Sequence, residues 1–232
     1  MEMPSILTVA GISLLLGFRH AFEPDHLAAV STLATRQGRL WDASRLGVAW
    51  GLGHTASIAV VALIMIAGGI HLPEKLWPAA DFLVGVLLIL LGAAVIRRYA
   101  MGRWHLHAHA HDGAAHLHLH SHAADPSHAH GHRAPDVRRS LGFGLLHGLA
   151  GSGAIVVLLV ASVPTRGAQL AYVAAFGVGT VVGMLAVSLS LGAAVRYASR
   201  RGERWAEVLH LGSAAMSVTV GVLLAWEMAG KL

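Results

Sequence analysis

His20-Ala21-Phe22-Glu23-Pro24-Asp25-His26 sets two imidazoles, two carboxylates and a proline inside a stretch that is otherwise apolar. Ionisable side chains at bilayer depth are expensive, so they face a cavity, a partner or a pathway rather than lipid. Imidazole nitrogen and carboxylate oxygen together suit divalent metals such as nickel, cobalt, zinc or copper, whereas a softer site would draw on thiolate. The chain has no cysteine, which removes disulfides and thiol electron carriers. Two further histidines stand among small residues: His54 in Gly51-Leu52-Gly53-His54-Thr55, and His147 in His147-Gly148-Leu149-Ala150-Gly151-Ser152-Gly153. The candidate metal-ligating set is therefore His20, Glu23, Asp25, His26, His54 and His147.

Each of these has a plainer reading. His20, His26 and His54 could be hydrogen-bonded core residues, and the glycines around His54 also suit close helix contact. For His147 three roles stand open: ligand from the second half of the chain, gate, or core residue. Arg19 reads as a counter-charge to the local acids. Asp81 and Glu227 fall near span ends where water reaches, and His71 and His210 read as loop or interface residues.

The geometry of the first motif depends on Pro24. In an uninterrupted helix, offsets of five and six residues correspond to about 140° and 240° of rotation, so His20, Asp25 and His26 would not share a face. Pro24 has no N–H for the carbonyl of His20 and its ring clashes there, which predicts a kink or unwound turn at Phe22-Glu23-Pro24. Such a turn can bring both imidazoles and Asp25 around one ion, with freed carbonyls facing the same cavity.

The elements that must hold these residues are membrane spans. Hydrophobic residues make up 55% of the chain and charged residues only 12%, a balance for a polytopic membrane protein rather than a soluble domain. Windows of about 20 residues predict an all-α fold with six transmembrane helices, at roughly 6–33, 46–69, 77–97, 140–163, 168–195 and 207–229. The first has no preceding Lys or Arg and no small-residue cleavage site, so it reads as a retained span rather than a signal peptide.

Charge orients the chain. Arg36, Arg39 and Arg45 lie in the first loop, six arginines in the third, and Arg196, Arg200, Arg201 and Arg204 in the fifth, against single cations at Lys75, Arg166 and Lys231. Thirteen against three places loops one, three and five in the cytoplasm and both termini outside, in a cell inner (plasma) membrane. The high isoelectric point thus reflects topogenic loop charge and implies no nucleic acid partner.

The sequence also repeats. His20-Ala-Phe-Glu-Pro-Asp-His aligns with His147-Gly-Leu-Ala-Gly-Ser-Gly, each following a Gly-Phe pair; Gly51-Leu-Gly-His-Thr aligns with Gly177-Val-Gly-Thr-Val, and Gly85-Val-Leu-Leu with Gly221-Val-Leu-Leu. Three spans per half is odd, so the second half must enter the membrane from the opposite side. This is the pattern of inverted-repeat transporters, whose sites lie near the midplane on broken helices. The organisation predicted is a first three-helix repeat over 1–98, a cytoplasmic histidine-rich loop over 99–139, and a second repeat over 140–232. That loop carries eleven histidines between His105 and His132. It reads as an unstructured tract when empty, and as a weak, interchangeable buffer, sensor or delivery arm for metal.

At these residues the resemblance becomes specific. Arg19-His20-Ala-Phe-Glu-Pro-Asp25-His26-Leu-Ala-Ala-Val resembles the H-x-x-x-x-D-H motif of the nickel/cobalt transporter family, and Gly51-Leu-Gly-His54-Thr resembles its Leu-Gly-His-Ser/Thr motif. His147-Gly-Leu-Ala-Gly-Ser-Gly is similar to the six-span branch often labelled urease-accessory nickel permeases. The family's larger members have eight spans, and their later acidic motif is absent here. The resemblance implies a permease with His20, Asp25, His26 and His54 in the path of Ni²⁺ or Co²⁺, which is substrate rather than cofactor, and no organic cofactor. No phosphate-binding G-x-x-x-x-G-K-[ST] loop occurs, so transport would be secondary unless a separate ATPase subunit assists; a metallochaperone is the other candidate partner. The rival readings are a nickel or cobalt efflux permease, a membrane oxidoreductase holding haem or iron, and a non-transporting metal-delivery scaffold.

Overall fold

The computed structural model describes residues 6–34, 40–69, 73, 75–101, 105–111, 114–120, 137–149, 163 and 165–232. Its body is helical: α1 Ile6–His20, α2 Pro24–Ala34, α3 Leu40–Gly68, α4 Leu76–Ala100, α5 Val137–Gly148, α6 Arg166–Arg201 and α7 Glu203–Ala229. Four of these, α3, α4, α6 and α7, are long and apolar enough to cross a membrane, and α1 with α2 makes a fifth if the bent pair is one span. The other expected span, 140–163, is described only as the twelve-residue α5; residues 150–162 lie outside the described residues, as do His71 and Ser152. Several helices outrun the apolar windows: α6 has 36 residues, about 54 Å at 1.5 Å per residue, against a hydrocarbon core of about 30 Å.

Large apolar side chains stay exposed on the outer faces of the long helices, including Leu83, Leu90, Val208, Leu223 and Trp226. An aqueous protein would not leave such a belt uncovered, whereas lipid covers it at no cost. Inside, α2 is central: Ala28, Ala29 and Val30 pack with Trp50 of α3, Val84 and Leu88 of α4, and Met184 and Val187 of α6. Glycine makes the tight turn between the last two helices, where Gly202 adopts φ 127°, a backbone region closed to most L-residues.

Helix packing falls into matched sets. α1 lies along α6, α5 along α3, α3 along α6, and α4 along α7. The contacts within these sets recur in pairs. Ser13 donates to the Tyr172 carbonyl at 2.6 Å, and Ser140 donates to the Leu46 carbonyl at 2.7 Å. Gly17 lies against the Phe176 backbone and Gly144 against the Trp50 backbone; Gly53 meets Leu141, and Gly179 meets Leu14. In each pair the backbones approach so closely that a Cβ has no room, the small-residue device of membrane helix packing.

The structure departs from the sequence expectation in the third loop. Its described part is a two-stranded antiparallel hairpin, β1 His105–His111 and β2 Ala114–His120, with His105 opposite His120 and His111 opposite Ala114. The tract alternates histidine with alanine or leucine, a period of two that suits a strand, and this local pattern is what compositional bias alone conceals. His210, expected in a loop or interface, is a buried residue within α7, because the helix begins at Glu203 and carries position 210 into the packed bundle.

Candidate metal centre

The break between α1 and α2 comes first. Phe22 N–H donates to the Arg19 carbonyl at 2.9 Å and Glu23 N–H to the His20 carbonyl at 3.0 Å, after which Leu27 N–H donates to the Glu23 carbonyl at 3.0 Å and α2 begins. Pro24 is the first residue of that second helix, the position where a missing N–H costs nothing and its fixed φ suits the turn. The two axes differ by 56°. The carbonyls of Arg19 and His20 are thus taken by tight turns, and the expectation that they would be freed toward the site is corrected.

The turn places His20 at the end of α1 and Glu23, Asp25 and His26 around the start of α2. His54 arrives from the middle of α3 and His147 from the end of α5. All six candidates meet in one cluster. His20 Nδ1–H donates to Glu23 Oε2 at 2.9 Å, leaving Nε2 turned to the Nε2 of His54 at 3.2 Å. Asp25 grips two rings, accepting from His147 Nε2–H through Oδ2 at 2.8 Å and contacting His26 Nδ1 through Oδ1 at 3.2 Å. Arg19, expected to balance these acids, is exposed; the break turns Glu23 and Asp25 onto imidazoles instead.

The carboxylates are the more exposed members of the cluster and the imidazoles are buried. Glu23 is 45% exposed and Asp25 20%, against His20 5%, His147 2%, His26 1% and His54 0%. A cavity of about 220 Å³ is lined by Glu23, Pro24, Asp25, Asp81, Val84, His147 and Leu224. Asp81 is the residue whose place sequence reasoning missed. Its signal was available, since it is the sole acid in α4, but its position near a span end suggested ordinary solvation.

Among the described residues, two groups could gather around a metal ion, their ligand atoms all within 4.8 Å of one another: His20, His26 and His54, and Asp25, His26 and His147. A first-row divalent ion held at about 2.0–2.1 Å from imidazole nitrogens keeps them about 2.9–3.4 Å apart, from octahedral to tetrahedral angles. The 3.2 Å separation between His20 and His54 falls in that interval. The single set of His20, Asp25 and His26 expected from sequence is divided here, with His26 common to both groups, because Asp25 turns toward α5 while His20 turns toward α3. His26 Nε2 and His147 Nδ1 are buried with no hydrogen-bond partner among the described residues, an arrangement costing about 1–3 kcal/mol for each atom unless something else binds there.

The aromatic surroundings are paired as well. His20 packs against Phe176 and His147 against Trp50, both with ring centroids 5.6 Å apart. Pro24→Ala is expected to weaken metal binding although proline carries no ligand, because an N–H at 24 lets α1 continue through the break and rotates His20 away from His26. Titration calorimetry with nickel, on protein lacking residues 105–132, should register a larger loss than Leu15→Ala, where the side chain is 68% exposed. Equal affinities for wild type and Pro24→Ala would show that the break does not set the geometry.

Residues 26–223 match the family described as Cytochrome C biogenesis protein transmembrane region, and the chain belongs to this class of multi-pass membrane proteins. Within that class it is 32% identical to Urease accessory protein UreH of Bacillus sp. (strain TB-90), over 87% of this chain and 83% of that protein, placing it in the urease-accessory, nickel/cobalt permease-like branch that the histidine motifs resemble. It is also 25% and 23% identical to Chloroplast proteins FOR GROWTH AND FERTILITY 1 and 2 of Arabidopsis thaliana, covering 93% and 94% of this chain. The chain spans only 58% and 56% of those two proteins. No solved structure matches it.

Proposed function

We propose that the protein moves Ni²⁺, and Co²⁺ as the alternative substrate, across the inner membrane through the buried cluster, supplying metal for metalloenzyme maturation. One observation carries this reading: four buried imidazoles and Asp25, drawn from both halves of the chain, converge at a break in an apolar span. Packing has no need of so many polar groups there, while a divalent ion satisfies them together. UreH is named as a urease accessory protein, which supports nickel as the cargo. The activity is transport and not catalysis.

Two inverted three-helix repeats are the architecture we assign. Support comes from the matched hydrogen bonds of Ser13 and Ser140, the matched close approaches of Gly17 and Gly144, and the equal packing of His20 and His147 on aromatic rings. Each pair joins residues that align between the halves. The cavity marks an access side: Asp81 and Val84 lie in the first part of α4 and Leu224 in the last part of α7, ends that loop charge assigns to the non-cytoplasmic side. For an ion of charge two, an interior-negative potential of 100 mV contributes about 4.6 kcal/mol toward uptake.

The family description favours one second reading, a membrane redox protein. A haem held by these histidines would give the purified protein a Soret band, and its appearance would replace the transport reading. Nickel uptake by cells carrying the protein, challenged with excess competing ions, tests the first reading: cobalt should compete strongly and magnesium not at all. Removing residues 105–132 is expected to leave uptake in place with an altered apparent affinity, since the selective site is within the membrane. Complete loss of uptake in a folded deletion would transfer that role to the histidine loop.

A further inference from the structure

We infer that the cluster is two successive ion positions sharing one imidazole: an outer one at Asp25, His26 and His147, and an inner one at His20, His26 and His54, with the ion handed across the His26 ring. This rests on the transport reading and goes beyond its single site. The His26 ring lies midway, with centroids 4.4 Å from His20 and 4.3 Å from His147. Imidazole presents its two nitrogens along diverging edges and, when neutral, carries one lone pair and one N–H, so the ring serves the two positions in turn: Nδ1 ligates at the outer one while Nε2 holds the proton, and on handover Nε2 gives up its proton and ligates while Nδ1 is reprotonated and donates to Asp25. Nδ1 faces Asp25 at 3.2 Å. Nε2 is the edge left for the inner position, and it is buried without a hydrogen-bond partner among the described residues.

The two positions differ in access and in chemistry. Asp25 and His147 line the cavity, whereas His20, His26 and His54 do not. The outer position offers two imidazoles and a carboxylate, so it supplies negative charge where an ion sheds water. The inner position offers three buried imidazoles, with the His20 ring fixed by Glu23 at 2.9 Å. A carboxylate on the far nitrogen of a ligating histidine fixes its tautomer and raises its basicity. The sequence of ligands therefore runs from an oxygen-containing set to an all-nitrogen set, which favours nickel and cobalt over magnesium and calcium at the second step. The handover gives selectivity a physical basis: a hard cation admitted at Asp25 exchanges its carboxylate for an all-imidazole set beyond it.

Nickel K-edge absorption and calorimetry on protein lacking residues 105–132 test the arrangement. His147→Ala should leave nickel bound at the inner position with three imidazoles, and His54→Ala should leave it at the outer position with two imidazoles and a carboxylate. Each single substitution should lower affinity by less than about tenfold, and the double substitution should exceed the product of the singles, a loss beyond about 100-fold. If the two single variants instead lose one imidazole each from the same coordination shell, with additive losses of affinity, the two-position arrangement is overturned while the transport site stands. If unsubstituted protein binds no nickel, the transport reading itself fails. His54→Asn and His147→Asn, with helix content followed by circular dichroism, give the same comparison should an alanine variant not fold.

Discussion

His26→Ala and Asp25→Asn are each expected to reduce nickel uptake to background while the protein still reaches the membrane and keeps its helix content. His26 belongs to both metal-capable groups found among the described residues, so its loss breaks both. Outer-shell changes alone cost 10–100-fold in metal sites, and a ligand common to both groups should cost at least about 100-fold by the same scale. Asp25→Asn keeps the volume but removes the anion, and its amide cannot accept from His147 and His26 through two carboxylate oxygens as Asp25 does at 2.8 and 3.2 Å. Melting temperature and size exclusion separate loss of transport from loss of fold. Uptake at the wild-type rate in either folded variant would remove these residues from the pathway.

Gly148→Val should have a comparable effect from a residue with no side chain to offer. A Cβ at 148 would meet the carbonyl and Cα of His54, so α5 must move away from α3. His147 is the adjacent residue, and its contact with Asp25 at 2.8 Å does not survive a displacement of an ångström or more. Uptake should fall at least about tenfold, the lower end for disturbed metal ligation. Gly142→Val is the control on the same helix, where nothing lies within 4 Å of the added Cβ. Equal uptake by the two variants would show that the close crossing of α5 and α3 does not hold the site.

The broken span and the histidines and acids gathered at it were legible because they are local. A proline four residues after a histidine, with an Asp-His pair beside it, predicts a turn from backbone chemistry alone. The long helices were equally legible from hydropathy. What could not be read is the choice of partners across the fold. Asp25 could have faced Arg19 or an ion shared with His20; it faces His147, 122 residues away, because α5 crosses α3 on Gly144 and Gly148. Glu23, expected among the candidate ligands, meets His20 Nδ1 at 2.9 Å, a contact its place in the sequence did not single out. Aligned halves did point to His147 as the counterpart of His20, but alignment carries no information on which ring nitrogen turns inward. The hairpin in the third loop escaped because its histidines suggested composition before periodicity.

An intramembrane selective site requires that the chain conduct a transition metal ion through its membrane body without help from the histidine loop. Flux into proteoliposomes containing only the purified protein lacking residues 105–132, measured over a panel of divalent ions under an inside-negative potential, tests it most directly. Nickel and cobalt should accumulate, faster as the potential grows and at background rate with His26→Ala, while magnesium and calcium stay outside. Absence of nickel flux from folded, correctly inserted protein, or nickel flux that His26→Ala leaves unchanged, would contradict it.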